Sequence, residues 1–241
     1  QNTVFKFWYE SWLLLGAGSV ALAVGLLAER GPRRTATAAL ATAAALVGAL
    51  FWMGSVPART GQRLSPGGWS LAGERFFETD VRTVYRDVEV RPADDVALVE
   101  WLRAHVPGGA VVTEAAGDDY AWTGRVAWLT GLQTPAGWRF HSEQQRRAYA
   151  DSVDRRHTDL QTLYTTADPV EIARIVATYR VDYVVVGSVE RVLAGGAAAA
   201  EVLGRSECLT VVFESPGGYV ARADRDCAES TWIEALAAQV T

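Results

Sequence analysis

The sequence predicts an α/β protein: a transmembrane helical hairpin followed by a Rossmann-like layered α/β domain with a C-terminal β-hairpin. Three observations carry this expectation. Two long uncharged stretches, residues 11–28 and 35–53, open the chain. Beyond them, short apolar runs alternate with amphipathic helical patterns, which is the rhythm of a layered α/β domain. Near the end, two β-rich runs are separated by Ser215-Pro216-Gly217-Gly218, a turn sequence.

Each opening stretch has the length a helix needs to cross a bilayer core of roughly 30 Å. A helix in a soluble core seldom stays uncharged for so long, because one face normally meets water. Gly16, Gly18 and Gly25 would let such helices approach closely. Trp8, Tyr9 and Trp12 at one end, with Phe51 and Trp52 at the corresponding end of the second stretch, suit an aromatic belt. Arg30, Arg33 and Arg34 crowd the connecting turn, which favours a cytoplasmic turn and an extracytoplasmic remainder, against the opposing charges of Lys6, Arg59 and Arg63. The expected division is 1–56 for two membrane helices and 57–241 for a soluble domain. With no initiator Met and no basic leader, the chain is expected to be the C-terminal portion of a multi-pass membrane protein. Its partners are then the lipid bilayer and upstream helices of the same protein.

The soluble part is long enough for one good core. The net charge of −5 and the absence of a basic tract with interleaved aromatics argue against nucleic acid as a partner. Residues 93–105 alternate apolar and charged positions as an amphipathic helix, ended by Pro107-Gly108-Gly109. Residues 110–114 read as a short strand, 125–131 as a short helix and 142–156 as a polar helix. Asp168-Pro169 reads as an N-cap with proline at the first helical position, and that helix runs to Tyr179. Residues 181–187 form a nearly continuous apolar run, expected at the centre of a parallel or mixed sheet. A helix over 188–203, the β-hairpin and a final helix over 230–240 complete the domain. Asp94-Asp95 reads as a helix start rather than a catalytic pair. Cys208 and Cys227 flank the β-hairpin almost symmetrically, and an extracytoplasmic location would let them form a disulfide across its open end.

Residues 113–147 concentrate aromatics, carboxylates and Arg. Glu114 follows a strand, where clefts form in open α/β sheets. Tyr120 and Trp138 offer apolar ring faces, Glu114 and His141 hydrogen-bonding groups, and Arg125 a guanidinium fork for phosphate, with Arg146 a further candidate for substrate binding. This is the residue set of a sugar or sugar-phosphate surface. It is equally the set of a loop-rich interface in which Arg125 and Glu114 form a structural ion pair. No metal site is expected, since His141-x-Glu143 lacks supporting spacing. No phosphate-binding glycine loop follows a strand, and no nucleophile elbow is present.

Asn2-Thr3-Val4-Phe5-Lys6-Phe7, Gly124-Arg125-Val126, Thr130-Gly131-Leu132, Gly137-Trp138 with His141, and Tyr179 to Gly187 with Glu190-Arg191 resemble the "YYY" polytopic membrane proteins, a family of unknown function similar to GT-C glycosyltransferases. The sequence departs from that pattern at Gln133, Ser142 and Gln145, where Pro, Glu and Trp are expected. The resemblance implies a polyprenyl-phosphate sugar and a glycan acceptor as partners. It implies a catalytic carboxylate upstream of Gln1, no cofactor in this segment, and room for a divalent metal in the full-length protein.

Overall fold

The computed structural model describes residues 2–28, 31–60, 83–85, 88–193 and 201–240. Arg30, Arg63 and residues 194–200 of the helix expected over 188–203 lie outside them, as do the side chains of Lys6, Trp8, Tyr9, Trp52 and Arg59. The chain divides into two compact units, Gln1–Leu64 and Ser65–Thr241.

The first unit is two helices, α1 (Asn2–Ala28) and α2 (Pro32–Thr60). Pro32 suits a first helical turn, where no backbone donor is missed. Both helices are long and apolar enough to cross a membrane, and the spans over Glu10–Ala28 and Pro32–Ser55 bury none of their residues within the protein. Leu14, Leu40 and Phe51 are all exposed. Contiguous exposed apolar surface of this kind marks a membrane or protein interaction face. Helical geometry persists beyond the apolar runs, through Pro57 at the end of α2.

The second unit holds an antiparallel pair, β1 (Thr83–Tyr85) and β2 (Val88–Val90), and a four-stranded mixed sheet. The sheet comprises β3 (Val112–Thr113), β4 (Tyr183–Val186), β5 (Leu209–Ser215) and β6 (Gly218–Ala223), in the order β3-β4-β6-β5. The β3–β4 pairing is parallel, and the other two pairings are antiparallel. Alternation along β4 divides the core. Val184 and Val186 join Leu160, Leu163, Ile172, Ile175 and Val176 from α6 (Ala150–Leu163) and α7 (Pro169–Tyr179). Val185 and Val220 join Leu98, Leu102 and Val126 from α3 (Val96–His105) and α4 (Arg125–Thr130). A central strand buried on both faces explains the continuous Val run.

Local chemistry sets the helix ends. Asp168 accepts a hydrogen bond from the Val170 N–H at 2.9 Å, capping α7 ahead of Pro169. The last helix, α9 (Arg225–Val240), starts five residues before the expected 230, because Asp224 accepts from the N–H groups of Asp226 and Cys227. The helix expected over 142–156 is broken. α5 (Arg139–Gln145) ends at Arg146, a 3-10 turn follows, and α6 begins at Ala150. α5 has no buried residue, whereas α6 buries Val153, His157, Leu160 and Leu163, so only α6 is held against the core. α8 (Ser188–Leu193) opens the region expected as one helix to residue 203.

Cys208 and Cys227 are disulfide-bonded, with Cα atoms 5.5 Å apart. Cys227 lies in the first turn of α9 rather than beside a strand, so the bond ties the sheet edge to a helix.

Candidate functional site

Arg125 is fully buried at the start of α4. Its Nε donates to Asp95 Oδ2 at 2.6 Å, and its Nη2 to Glu190 Oε2 at 2.6 Å. Its Nη1 donates to Glu190 Oε1 at 3.1 Å and lies 3.6 Å from Glu114 Oε2. Three carboxylates thus surround one guanidinium, and each is also served by other donors. Asp95 accepts from Trp122 Nε1 and from both the backbone N–H and the hydroxyl of Ser188. Glu190 accepts from the N–H groups of Ala115 and Gly187. Glu114 accepts from the N–H groups of Val126 and Ala127, which are otherwise unsatisfied at the start of α4. Gly187 leaves the space this requires: a Cβ there would sit 2.3 Å from Asp95 Oδ1 and 2.7 Å from Arg125 Nη2.

The electrostatics follow from burial and charge count. Burial opposes ionisation of Asp95, but Arg125 and Ser188 outweigh it and hold that carboxyl below its ordinary value. Burial also opposes the charge on Arg125, but Asp95 and Glu190 keep its pKa well above the usual value. Glu114 is the odd carboxylate. Burial, aided by Glu190, pushes it up to about 7 against the pull of Arg125 and two backbone N–H groups. A carboxyl raised in the folded state contributes stability that is fully present below its unfolded pKa and lost as pH rises through the folded one. Stability should therefore fall between about pH 4.5 and about pH 7 and then level off. Glu114→Gln should flatten that slope. It should also lower stability throughout by about 1–3 kcal/mol, because an amide cannot accept both N–H groups. Urea unfolding across this pH range is the check, and an undiminished slope in the variant would assign the titration elsewhere.

The other expected site residues lie elsewhere. Tyr120, Trp138 and His141 form an aromatic triad near the surface, with ring centroids 5.1 to 5.8 Å apart. Trp138 Nε1 donates to the Thr123 carbonyl, which fixes its ring, and Tyr120 is held at φ 60. A left-handed backbone is uncommon for a bulky residue, and such strain tends to gather at binding sites. Tyr120, Trp128 and Trp138 wall an open apolar groove of about 480 Å³, with Tyr120 66% and Trp128 54% exposed. Trp122 joins the two regions: it donates to Asp95 and meets Trp128 edge-on at 5.6 Å. Arg146 lines a separate polar cavity of about 430 Å³ between α5 and α6.

The structure therefore brings Glu114 together with Arg125, and Tyr120 with Trp138 and His141, but the six residues do not share one cleft. The expected phosphate contact of Arg125 and hydroxyl contact of Glu114 find both groups sealed in the core, fully engaged with protein partners. The sequence places Asp95 at a helix start and Glu190 within the family resemblance, and it does not mark either as a partner of Arg125. The available signal at Glu190 was an acid between Val189 and Leu193 on the buried face of α8. Trp128 was missed as a groove wall. No family model matches this chain, and no curated protein or solved structure matches it.

Proposed function

We propose that the α/β domain is a saccharide-binding module, held outside the cytoplasm by the membrane-crossing hairpin of α1 and α2 in a GT-C-like glycosyltransferase. In this reading it positions a glycan acceptor or a polyprenyl-phosphate sugar and does not itself perform transfer. The observation that carries the proposal is the exposed aromatic groove. Pyranose rings present apolar C–H faces, and Tyr120, Trp128 and Trp138 offer matching ring faces. The buried Asp95–Arg125–Glu190–Glu114 cluster is part of the scaffold in this reading, since its charged groups are engaged with one another in the core. The Cys208–Cys227 disulfide supports an oxidising compartment. A Rossmann-like layering, with helices on both faces of a mixed sheet, is the scaffold in this proposal.

Titration of the full chain with neutral oligosaccharides, read by tryptophan fluorescence, tests it. Trp128→Ala should weaken binding by about 1 kcal/mol or more without loss of fold, because a stacked ring contributes about that much beyond its area. Saccharides that leave the fluorescence unchanged would turn the apolar groove over to the second reading, a non-catalytic docking surface for a protein partner.

A further inference from the structure

The polar cavity between α5 and α6 has no role in the saccharide proposal. Arg146, Arg156, Ser142, Tyr149, Ser152 and His157 line it, and no carboxylate does so among the described residues. That bias stands out in a chain whose net charge is −5. Neighbouring cations are matched differently: Arg139 is paired with Glu143 and Asp154, and Arg174 with Asp159 and Glu171. Among the described residues Arg156 donates only to the Pro135 carbonyl, and it lies 5.6 Å from the Tyr179 ring centroid. Arg146 has no side-chain partner among the described residues. Tyr149 is the N-cap position and Ser152 a first-turn residue of α6, a 14-residue helix with no side-chain cap. Its backbone N–H groups and dipole favour an anion there, shared with Asp151 of the first turn, which does not line the cavity.

A second observation adjoins the same place. His157 is 6% exposed and stands between this cavity and a second hollow lined by Asp118, Asp119 and Asp154, and its Nε2 has no hydrogen-bond partner among the described residues. A buried polar atom left in this state calls for an explanation.

From this juxtaposition we infer that the α5–α6 cavity is an oxyanion site for a phosphate monoester or a comparable small dianion. Arg146 and Arg156 supply charge and forked donors, and the hydroxyls of Ser142, Tyr149 and Ser152 supply further hydrogen bonds. His157 couples occupancy to pH. Burial pushes its imidazole below the ordinary value, assisted by Arg139 of α5 and opposed by the Gly137 backbone, Asp119 and Asp154. An anion in the cavity would favour the imidazolium in its wall, so binding takes up a proton and strengthens as pH falls.

The test is calorimetric titration of the full chain, in a non-ionic detergent, with inorganic phosphate and with sulfate. Sulfate remains doubly charged throughout, so it separates His157 titration from that of phosphate. Sulfate should bind, and its affinity should drop by up to about tenfold per pH unit within about pH 5–8. Arg146→Ala, at an exposed position, should weaken both anions by about tenfold or more. His157→Asn should abolish the pH dependence of sulfate binding. Failure of both anions to bind the wild-type chain would overturn the assignment, as would undiminished binding by Arg146→Ala. If His157→Asn does not fold, the wild-type His157 imidazole resonances decide: their pKa must rise when sulfate is added. Saccharide binding at the aromatic groove is a separate readout, and failure of either leaves the other standing.

Discussion

Arg125→Ala should cost about 3–5 kcal/mol of stability and leave much of the chain unfolded. Removing the guanidinium strands Asp95 and Glu190 in the core without their shared cation, and breaking a buried pair on one side carries about that penalty. A domain stable by about 5–15 kcal/mol has little margin for it. Arg125→Lys should also be damaging despite the retained charge. A single ammonium cannot reach Asp95 and Glu190 with the separate prongs that Nε, Nη1 and Nη2 provide. Urea unfolding measures both variants. A loss below about 1 kcal/mol in Arg125→Ala would show that the cluster does not hold the fold. This expectation separates a structural Arg125 from one that binds phosphate, since a ligand-binding arginine could be removed with the fold intact.

Reduction of the Cys208–Cys227 disulfide should lower stability by about 3 kcal/mol, the chain-entropy value for a closed loop of its size. The bond spans 19 residues and joins the residue before β5 to α9, which packs on α7. Its loss would free α9 before the sheet unfolds. Proteolysis should therefore cut near Ala223–Arg225 first in the reduced protein. Equal urea midpoints with and without dithiothreitol would remove the bond from the account of stability.

Much of the scaffold was legible because local rules decided it. The Asp168-Pro169 start of α7 needed only a capping side chain and a fixed φ. The run around Val184, Val185 and Val186 read as a central strand because apolar residues on both faces leave it few other places. Helix ends were less legible. α9 begins early because of Asp224, and the break at Arg146 reflects which helix meets the core.

The candidate site divides along the same line. By itself, the sequence determined the two apolar membrane-length segments, the mixed α/β character and the unusual density of aromatic and ionic groups after β3. Those properties follow from composition and period, which survive without contacts. Only the tertiary structure decided what the ionic groups do. Asp95, Arg125 and Glu190 are far apart in the chain, and each alone reads as a helix residue. Closure of β4 against β3 and α3 places Asp95 and Glu190 each 2.6 Å from the Arg125 guanidinium, beside Gly187. The same closure sealed Glu114 and Arg125 away from solvent and left Tyr120, Trp128 and Trp138 outside. Burial depends on what packs above a residue, and spacing along the chain does not encode that.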